Sequence, residues 1–273
     1  GHIVAMTGDG VNDVLALKES DCAITVKSGS DVARNVSQLI LLNDDFNSLP
    51  KVVREGRQII NNVERSASLL LVKTLYTMML IVYSIISFQK YFFIPIQLTF
   101  ITAFTIGAPS FILALEPNNE LVKGNFLFKI FSKSLPTAIT VVFNIVMVSI
   151  FSKLFDLPYE VQSTICVLLT TITGLYNLFK ICYPLNIYRG ILFFTMLIGF
   201  ILCLYSIPEF FNIERMDSVI GILTFTLTIN AIYIYKLINY FVTVIFNKFD
   251  STVEIEGNIY DIKKVYKFKK NNV

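Results

Sequence analysis

The chain has 273 residues, of which 54% are hydrophobic, and its mean hydropathy is +0.64. Soluble proteins contain about 45–50% apolar residues, so the composition favours a membrane protein. A net charge of +3 is too small to indicate nucleic-acid binding. The four cysteines form no CxxC pair and have no histidine nearby, which argues against a disulfide framework or a zinc site.

Residues 1–50 alternate short apolar runs with helical spacings. This order predicts a parallel sheet with helices, the pattern of an α/β domain, but too small to be complete. The run at 3–6 has no earlier strand with which to pair, so we expect the sequence to begin inside a domain. The predicted strands are 3–6, 23–26 and 39–42, and the predicted helices are 11–20 and 32–36.

A membrane-spanning helix needs about 20 mainly apolar residues, and six runs meet this length after an amphipathic helix at 51–66. Lysine and arginine concentrate in the loops that fall on the same side as residues 1–66, which predicts that this segment and the tail are cytoplasmic. The tail alternates around a Gly-Asn pair and predicts a small hairpin. The predicted spans are 67–88, 92–115, 135–155, 162–182, 188–207 and 219–241.

The segment TGDGVND, residues 7–13, follows the first predicted strand. Asp9 ends the strand and Asp13 lies in the first helical turn, where two carboxylates beside a phosphate favour Mg²⁺ between them. Asn12 is suited to donate to a phosphate oxygen or to orient a metal-bound water. Glycine at 8 and 10 permits close backbone approach and positive φ. The alternative is a polar turn in which Asp13 only caps the helix.

MTGDGVND resembles the hinge motif of P-type cation-transporting ATPases. The resemblance continues through LALKESDCAI, SGSDVARNVSQLILLNDDF, VVREGRQIINNVERSAS and FIPIQLTFITAFTIGAPSFILALEPN, and so covers about residues 1–120 by motif and the rest by span count. Within the class the chain is most similar to bacterial cation pumps with DVLALK, since Leu15 stands where better-known calcium pumps carry proline.

The resemblance implies a multi-pass α-helical membrane protein of six spans with a partial, HAD-like phosphorylation domain. It implies an intact enzyme that hydrolyses ATP and transports a cation, with Mg²⁺ as cofactor. Asp9, Asn12 and Asp13 would be catalytic, Asp9 and Asp13 would hold the metal, and Thr7, Gly8 and Gly10 would form the phosphate loop. The family motifs DKTGT and TGE do not occur in the sequence, so the chain should not hydrolyse ATP alone.

The implied segments are the C-terminal part of the phosphorylation domain (1–50), a stalk helix (51–66), spans five to ten of the family (67–246) and a basic tail (247–273). The partners implied are membrane lipid, the transported cation and the remainder of the ATPase chain, with no nucleic acid. Two alternatives stay open: a translocase of a lipid or polyamine in the same superfamily, and a free-standing membrane protein that docks partners.

Alignment with calcium pumps places Thr74, Thr77, Thr102 and Thr105 at ion-ligand positions. Pro109 follows a Gly-Ala pair, a combination that can break a helix and free carbonyls for an ion. The central aspartate of those pumps is replaced by Ile106, so Ca²⁺ is one candidate and a monovalent ion another. A carboxylate from the fourth span, outside this sequence, is a possible source of charge.

Other polar residues inside the spans have simpler interpretations. Lys73 is expected to snorkel towards the interface. Asparagines 144, 177 and 230 are expected to hydrogen-bond between helices, and threonines 170, 171 and 173 to bond to their own helix. Glu116 is interpreted as an interface residue rather than an ion ligand.

Overall fold

The computed structural model describes residues 3–118, 120–122, 125–215 and 217–254, without the side chains of 219 and 247–254. The described residues form two compact units that divide after Gln58. Each unit has its own core, so each is described separately.

The first unit is a three-stranded parallel sheet in the order β1-β2-β3. Ala5 pairs with Cys22 and Ile24 pairs with Leu39, which fixes the register. Leu17 and Ala33 cover one face of the sheet. The elements are β1 (Ala5–Thr7), α1 (Val14–Glu19), β2 (Cys22–Val26), α2 (Asp31–Val36) and β3 (Leu39–Leu41), with a 3₁₀ turn at Val11–Asp13 before α1.

Six helices in the described part of the chain are long and apolar enough to cross a membrane. One span, Pro95–Ala114, contains two α-helical pieces joined by a π-helical turn. The elements are α3 (Leu49–Ser87), α4 (Pro95–Thr102), the π turn (Ala103–Gly107), α5 (Ala108–Ala114), α6 (Phe126–Leu154), α7 (Tyr159–Cys182), α8 (Ile187–Ser206) and α9 (Ser218–Glu254). The fold class predicted from the sequence is therefore confirmed.

Helix α7 is the central helix of the second unit, because 67% of its most apolar 18-residue stretch is buried inside the protein, compared with 17% for α8. Its buried residues Ile165 and Leu168 belong to the same core as Leu80 of α3 and Ile145 of α6. A central helix touches protein on all sides, so its polar side chains must find partners inside the bundle.

The structure adds to or differs from the predicted elements at several places, of which three matter here. The stalk helix and first span form one unbroken 39-residue helix, α3, since no residue between Leu49 and Ser87 interrupts the helical hydrogen bonds. The Gly-Ala-Pro sequence gives a π turn rather than a helix break, because a wider turn keeps the chain helical around Pro109. Ser251–Glu254 end α9, and the remainder of the predicted hairpin lies outside the described residues.

Candidate phosphate and cation sites

Asp9 lies at the carboxyl end of the sheet, two residues after β1. The loops that follow β1 and β2 are held together there, because the Ser30 N–H donates to the Asp9 carbonyl over 2.8 Å. Gly29 makes this approach possible: a Cβ at that position would lie 2.8 Å from Thr25 Oγ1 and 3.2 Å from the Asp9 carbonyl. The carboxyl edge of a parallel sheet is the usual place for a ligand.

Asp13 is anchored beside this edge by the backbone. The Gly10 N–H donates to Asp13 Oδ2 over 3.1 Å. A Cβ at Gly8 would lie 2.6 Å from the Cβ of Asp13, so only glycine fits there. The expected positive φ was wrong, since Gly10 has φ −94°. Close packing of Asp13, rather than a left-handed backbone, explains the glycine at position 8.

The side chains of Thr7, Asp9 and Asn12 are exposed, and that of Asp13 is half-buried. Within the described residues, no hydrogen bond reaches the Asp9 carboxylate, and one oxygen of Asp13 is held by Gly10. No group of three or more His, Cys, Asp or Glu suited to a metal occurs among these residues. Mg²⁺ in phosphate sites uses one or two protein carboxylates and keeps several waters, so two carboxylates at one edge fit such a partial ligand set.

A second polar site lies inside the second unit, in a small cavity of about 10 Å³. A volume of that size holds about one water molecule. The Tyr76 hydroxyl and Thr170 Oγ1 face this region and have no hydrogen-bond partner among the described residues. An unpaired buried hydroxyl costs about 1–3 kcal/mol. The polar residues that line the cavity are Tyr76, Thr105, Thr137, Thr170 and Asn177.

Of the five residues predicted for the ion pathway, Thr105 lines this cavity. Pro109 is buried one turn further along the same span, and Thr74 is exposed on α3. Thr77 donates to the Lys73 carbonyl of its own helix over 2.7 Å. Thr102 is half-buried, and its Oγ1 accepts a hydrogen bond of 2.8 Å from Lys73 Nζ. The structure therefore separates Thr102 and Thr77, near the lysine, from Thr105 in the cavity.

The expectation that Lys73 snorkels was wrong, because its ammonium is bound to a threonine of the neighbouring span. The bond joins α3 to α4 and places a positive charge beside the π turn. No carboxylate pairs with Lys73 in the part of the chain that the structure describes.

The π turn and helix α7 approach each other closely at Gly174. A Cβ at Gly174 would lie 2.7 Å from Thr105 Cγ2, so glycine allows the two helices to meet at the cavity. Thr105 Oγ1 donates to the Ile101 carbonyl over 2.7 Å, which leaves its lone pairs available to a further donor or cation. A single π turn inside an α-helix is frequently found at functional sites.

The predicted partners of the buried amides and hydroxyls are confirmed in most cases. Asn177 accepts from Thr137 over 2.8 Å, and Asn144 donates to Thr173 over 3.4 Å, both between α6 and α7. Two predictions were wrong. Asn230 is exposed and bonds to its own helix, and Thr170 does not bond back to its helix but faces the cavity.

Glu116 is the centre of a buried ionic network that was not predicted from the sequence. Its carboxylate accepts from Arg65 (2.8 Å), from Arg189 Nε (2.9 Å to each oxygen) and from Asn186 (2.7 Å). Asn62 donates to the Glu116 carbonyl over 2.7 Å. Burial by itself raises the pKa of the Glu116 carboxyl, but the bonds from Arg189 and Asn186 and the charges of Arg189 and Arg65 bring it below its ordinary value.

Comparison with known proteins gives consistent names. A protein of Streptococcus pneumoniae named "Probable cation-transporting ATPase exp7" is 35% identical over 254 residues, which cover 90% of this chain and 32% of the relative. "Calcium-transporting ATPase CtpE" of Mycolicibacterium smegmatis is 38% identical over 222 residues, 76% of the chain and 28% of that protein. The protein of the same name from Mycobacterium bovis is 44% identical over 151 residues, 52% of the chain and 19% of the relative.

The chain is a homologue of cation-transporting ATPases. Its 273 residues span about a third of the length of the first of these relatives. No protein-family model matches the sequence. The six membrane-compatible helices and the homology to these ATPases together support a multi-pass membrane protein.

Proposed function

We propose that this chain is the C-terminal portion of a P-type ATPase that transports a cation, with Ca²⁺, which the names of two relatives give, as the first candidate. The observation that carries the proposal is the 254-residue match to a cation-transporting ATPase, which runs through both the sheet and the span bundle. In this proposal residues 1–66 and the tail lie on the cytoplasmic side of the cell membrane. ATP is the substrate of the intact enzyme, and Mg²⁺ is its cofactor.

In the first unit, the carboxylates of Asp9 and Asp13 hold Mg²⁺, which when bound neutralises charge on the transferred phosphoryl oxygens. The Asp9 carboxylate is exposed and free of hydrogen bonds among the described residues, so it is available as a ligand. The bond from Gly10 fixes the position of Asp13 relative to the loop. Asn12, exposed beside them, donates to a phosphate oxygen.

In the second unit, the transported cation is bound partly by the cavity between α3, the π turn, α6 and α7. Support comes from the unpaired hydroxyls of Tyr76 and Thr170, since their oxygens could coordinate a cation and a water bound to it could accept their O–H groups. No carboxylate lines the cavity among the described residues. Ca²⁺ takes 6–8 oxygens that commonly include carboxylates, so a part of the parent outside this chain supplies the negative charge.

Coupling between phosphate chemistry and the cavity runs along α3 in this proposal. The helix is unbroken from Leu49 to Ser87 and carries Tyr76 to the cavity, so a shift of its first half moves the second. The Glu116 network fixes the loop after α5 to α3 through Arg65 and to α8 through Arg189. A shift of α3 would therefore be felt at the α5 end of the span that carries the π turn.

The experiment is phosphoenzyme turnover in the full-length parent, because the sequence lacks the DKTGT aspartate. Asp9→Asn removes one carboxylate from the metal site, and turnover should fall by at least about a hundredfold. Asp21→Asn is the matched control, since Asp21 is exposed just before β2 and accepts a bond from the Val4 N–H that asparagine can also accept. Equal turnover in the two variants would remove Asp9 from the mechanism.

A further inference from the structure

A second and larger cavity, of about 510 Å³, lies between α3, α6, α7, α9 and the loop after α5. We call it the basic cavity and define it by Arg65, Asn118, Lys129, Lys133 and Lys180, which line it together with Glu64. It differs from the cavity at the π turn in size and in the charge of its lining residues, although Asn177 lines both.

The charges around the basic cavity do not balance. Lys129 and Lys133 share one carboxylate, that of Glu64, at 3.6 and 2.5 Å. Arg65 shares the Glu116 carboxylate with Arg189. Two buried carboxylates therefore serve four cations. The exposed Glu120 contributes a third carboxylate at the rim.

Lys180 adds a further positive charge without a carboxylate. It is exposed at the end of α7, and the structure records no ion pair for it within the described residues. Its ammonium lies 5.8 Å from the centroid of the Tyr176 ring, a contact that leaves its N–H donors available. The cavity therefore carries an excess of positive charge, which attracts an anion.

Asn118 provides an independent sign of a missing acceptor. The residue is 4% exposed and lines the cavity, and its Nδ2 has no hydrogen-bond partner among the described residues. Its Oδ1 accepts from the Glu120 N–H over 2.9 Å and from Asn61 over 3.4 Å, so the amide cannot be turned to bring nitrogen to those donors. A buried donor without a partner costs about 1–3 kcal/mol, which an acceptor oxygen in the cavity would offset.

The position of the cavity points to the source of that oxygen. Lys129 and Lys133 lie in the first turns of α6 and Lys180 lies in the last turn of α7, where the apolar spans end. This is the depth of lipid headgroups. Leu121 and Tyr183 line the cavity and are 60% and 70% exposed, so apolar surface for an acyl chain adjoins the charged residues.

We propose that the basic cavity binds the phosphate group of an anionic lipid, with the Lys180 ammonium and the Asn118 amide as donors to its oxygens. Basic pockets between spans are suited to such headgroups. Binding would fix α3, α6, α7 and α9 to one another at this end of the bundle. The proposal does not depend on the identity of the transported cation.

The test uses the full-length protein in detergent, after removal of native lipid. Dioleoylphosphatidylglycerol and dioleoylphosphatidylcholine are titrated separately, and bound lipid is counted by native mass spectrometry. Phosphatidylglycerol should bind more tightly, and Lys180→Gln should weaken it about tenfold, the equivalent of one charge-assisted hydrogen bond. Lys153→Gln, at the exposed other end of α6, is the matched control and should bind as the unmodified protein does.

Asn118→Asp keeps the shape of the side chain but replaces the unpaired donor with a negative charge, and should abolish the preference for phosphatidylglycerol. Lys180 is exposed, so Lys180→Gln keeps the test valid even if the buried variant does not fold. Equal affinity for the two lipids, or equal loss in Lys180→Gln and Lys153→Gln, would overturn the proposal. If inorganic phosphate competed for the basic cavity as strongly as the lipid does, the assignment to a lipid would be overturned.

Discussion

The two units present their polar groups in opposite ways. In the sheet, the carboxylate of Asp9 is exposed within a contiguous motif, and the fold holds only its backbone. In the span bundle, the hydroxyls of Tyr76, Thr105 and Thr170 are buried, come from three different helical segments and meet at one small cavity. A site for a hydrated, phosphate-bound metal can remain open to water, whereas a cation in the membrane needs oxygens brought together by packing.

The difference also appears in the role of charge. In the first unit the Asp9 carboxylate has no partner among the described residues, which costs little because the side chain is exposed to water. The second unit buries Glu116 among two arginines and an asparagine. Breaking a buried pair is strongly destabilising because the remaining charges lose their partner. Mutation of Asp9 should therefore change activity with little effect on stability, whereas mutation of Glu116 should lower stability.

The largest stability effect is expected for Glu116→Gln. The change leaves Arg65 and Arg189 buried without a carboxylate and should cost about 3–5 kcal/mol of unfolding free energy. Chemical denaturation of the full-length protein in detergent measures it. Glu209→Gln is the control, since Glu209 pairs with Arg215 on the surface and its loss should cost about 0–1 kcal/mol. Equal losses in the two variants would show that the buried network does not stabilise the bundle.

The same residue predicts a pH dependence. The pKa of Glu116 is lower in the folded protein than its ordinary value, so its contribution to stability is complete above the ordinary glutamate pKa. That contribution should be lost as pH falls through the lowered pKa. Melting temperature measured from neutral to acidic pH should fall less in Glu116→Gln than in the unmodified protein. Parallel profiles for the two proteins would remove Glu116 as the source of the acid sensitivity.

Gly174→Ala should have an intermediate effect. The new Cβ would lie 2.7 Å from Thr105 Cγ2, so the π turn and α7 must move apart, at a cost of about 1–3 kcal/mol. Gly190→Ala, where no atom lies within 4 Å, should instead stabilise α8 by about 0.5–1 kcal/mol. Thermal unfolding compares the two. Stabilisation of similar size in both would contradict the close packing at the cavity.

The smallest stability effect is expected for Thr170→Val. The change removes a buried hydroxyl without a partner in the described structure, and should raise the unfolding free energy by about 1 kcal/mol. Thr171→Val removes a hydroxyl that donates to the Val167 carbonyl, and should be neutral or destabilising. A loss of stability in Thr170→Val as large as in Thr171→Val would indicate that Thr170 already has a partner.

The fold was largely predictable because its signals are local. Apolar runs separated by Gly and Asp predicted the strands around Met6, Ala23 and Ile40. The spans were predicted from apolar length alone. The π turn was not, because the sequence signals a weakened helix at Gly107 and Pro109 but not how the backbone accommodates it.

The sites were less predictable because their partners are distant in sequence. Glu116 meets Arg65 and Arg189, which lie 51 and 73 residues away, and no local pattern encodes those contacts. Thr170 was expected to bond to its own helix, as Thr171 and Thr173 do, and only the three-dimensional structure shows that it lines one cavity with Tyr76 and Thr105. The roles of Asp9 and Asp13 remain predictions from the motif and its position on the sheet.

The most direct test of the account is the cation dependence of phosphoenzyme formation in the full-length protein. The amount of phosphoenzyme reports the chemistry at the sheet as a function of how fully the cation occupies its site in the membrane. Thr105→Val and Thr170→Val should raise the half-saturating cation concentration severalfold, as expected for the loss of about 1 kcal/mol from a ligand contact, while Thr171→Val leaves it unchanged. Phosphoenzyme formation with the same cation dependence in all three variants would contradict a cation site at this cavity.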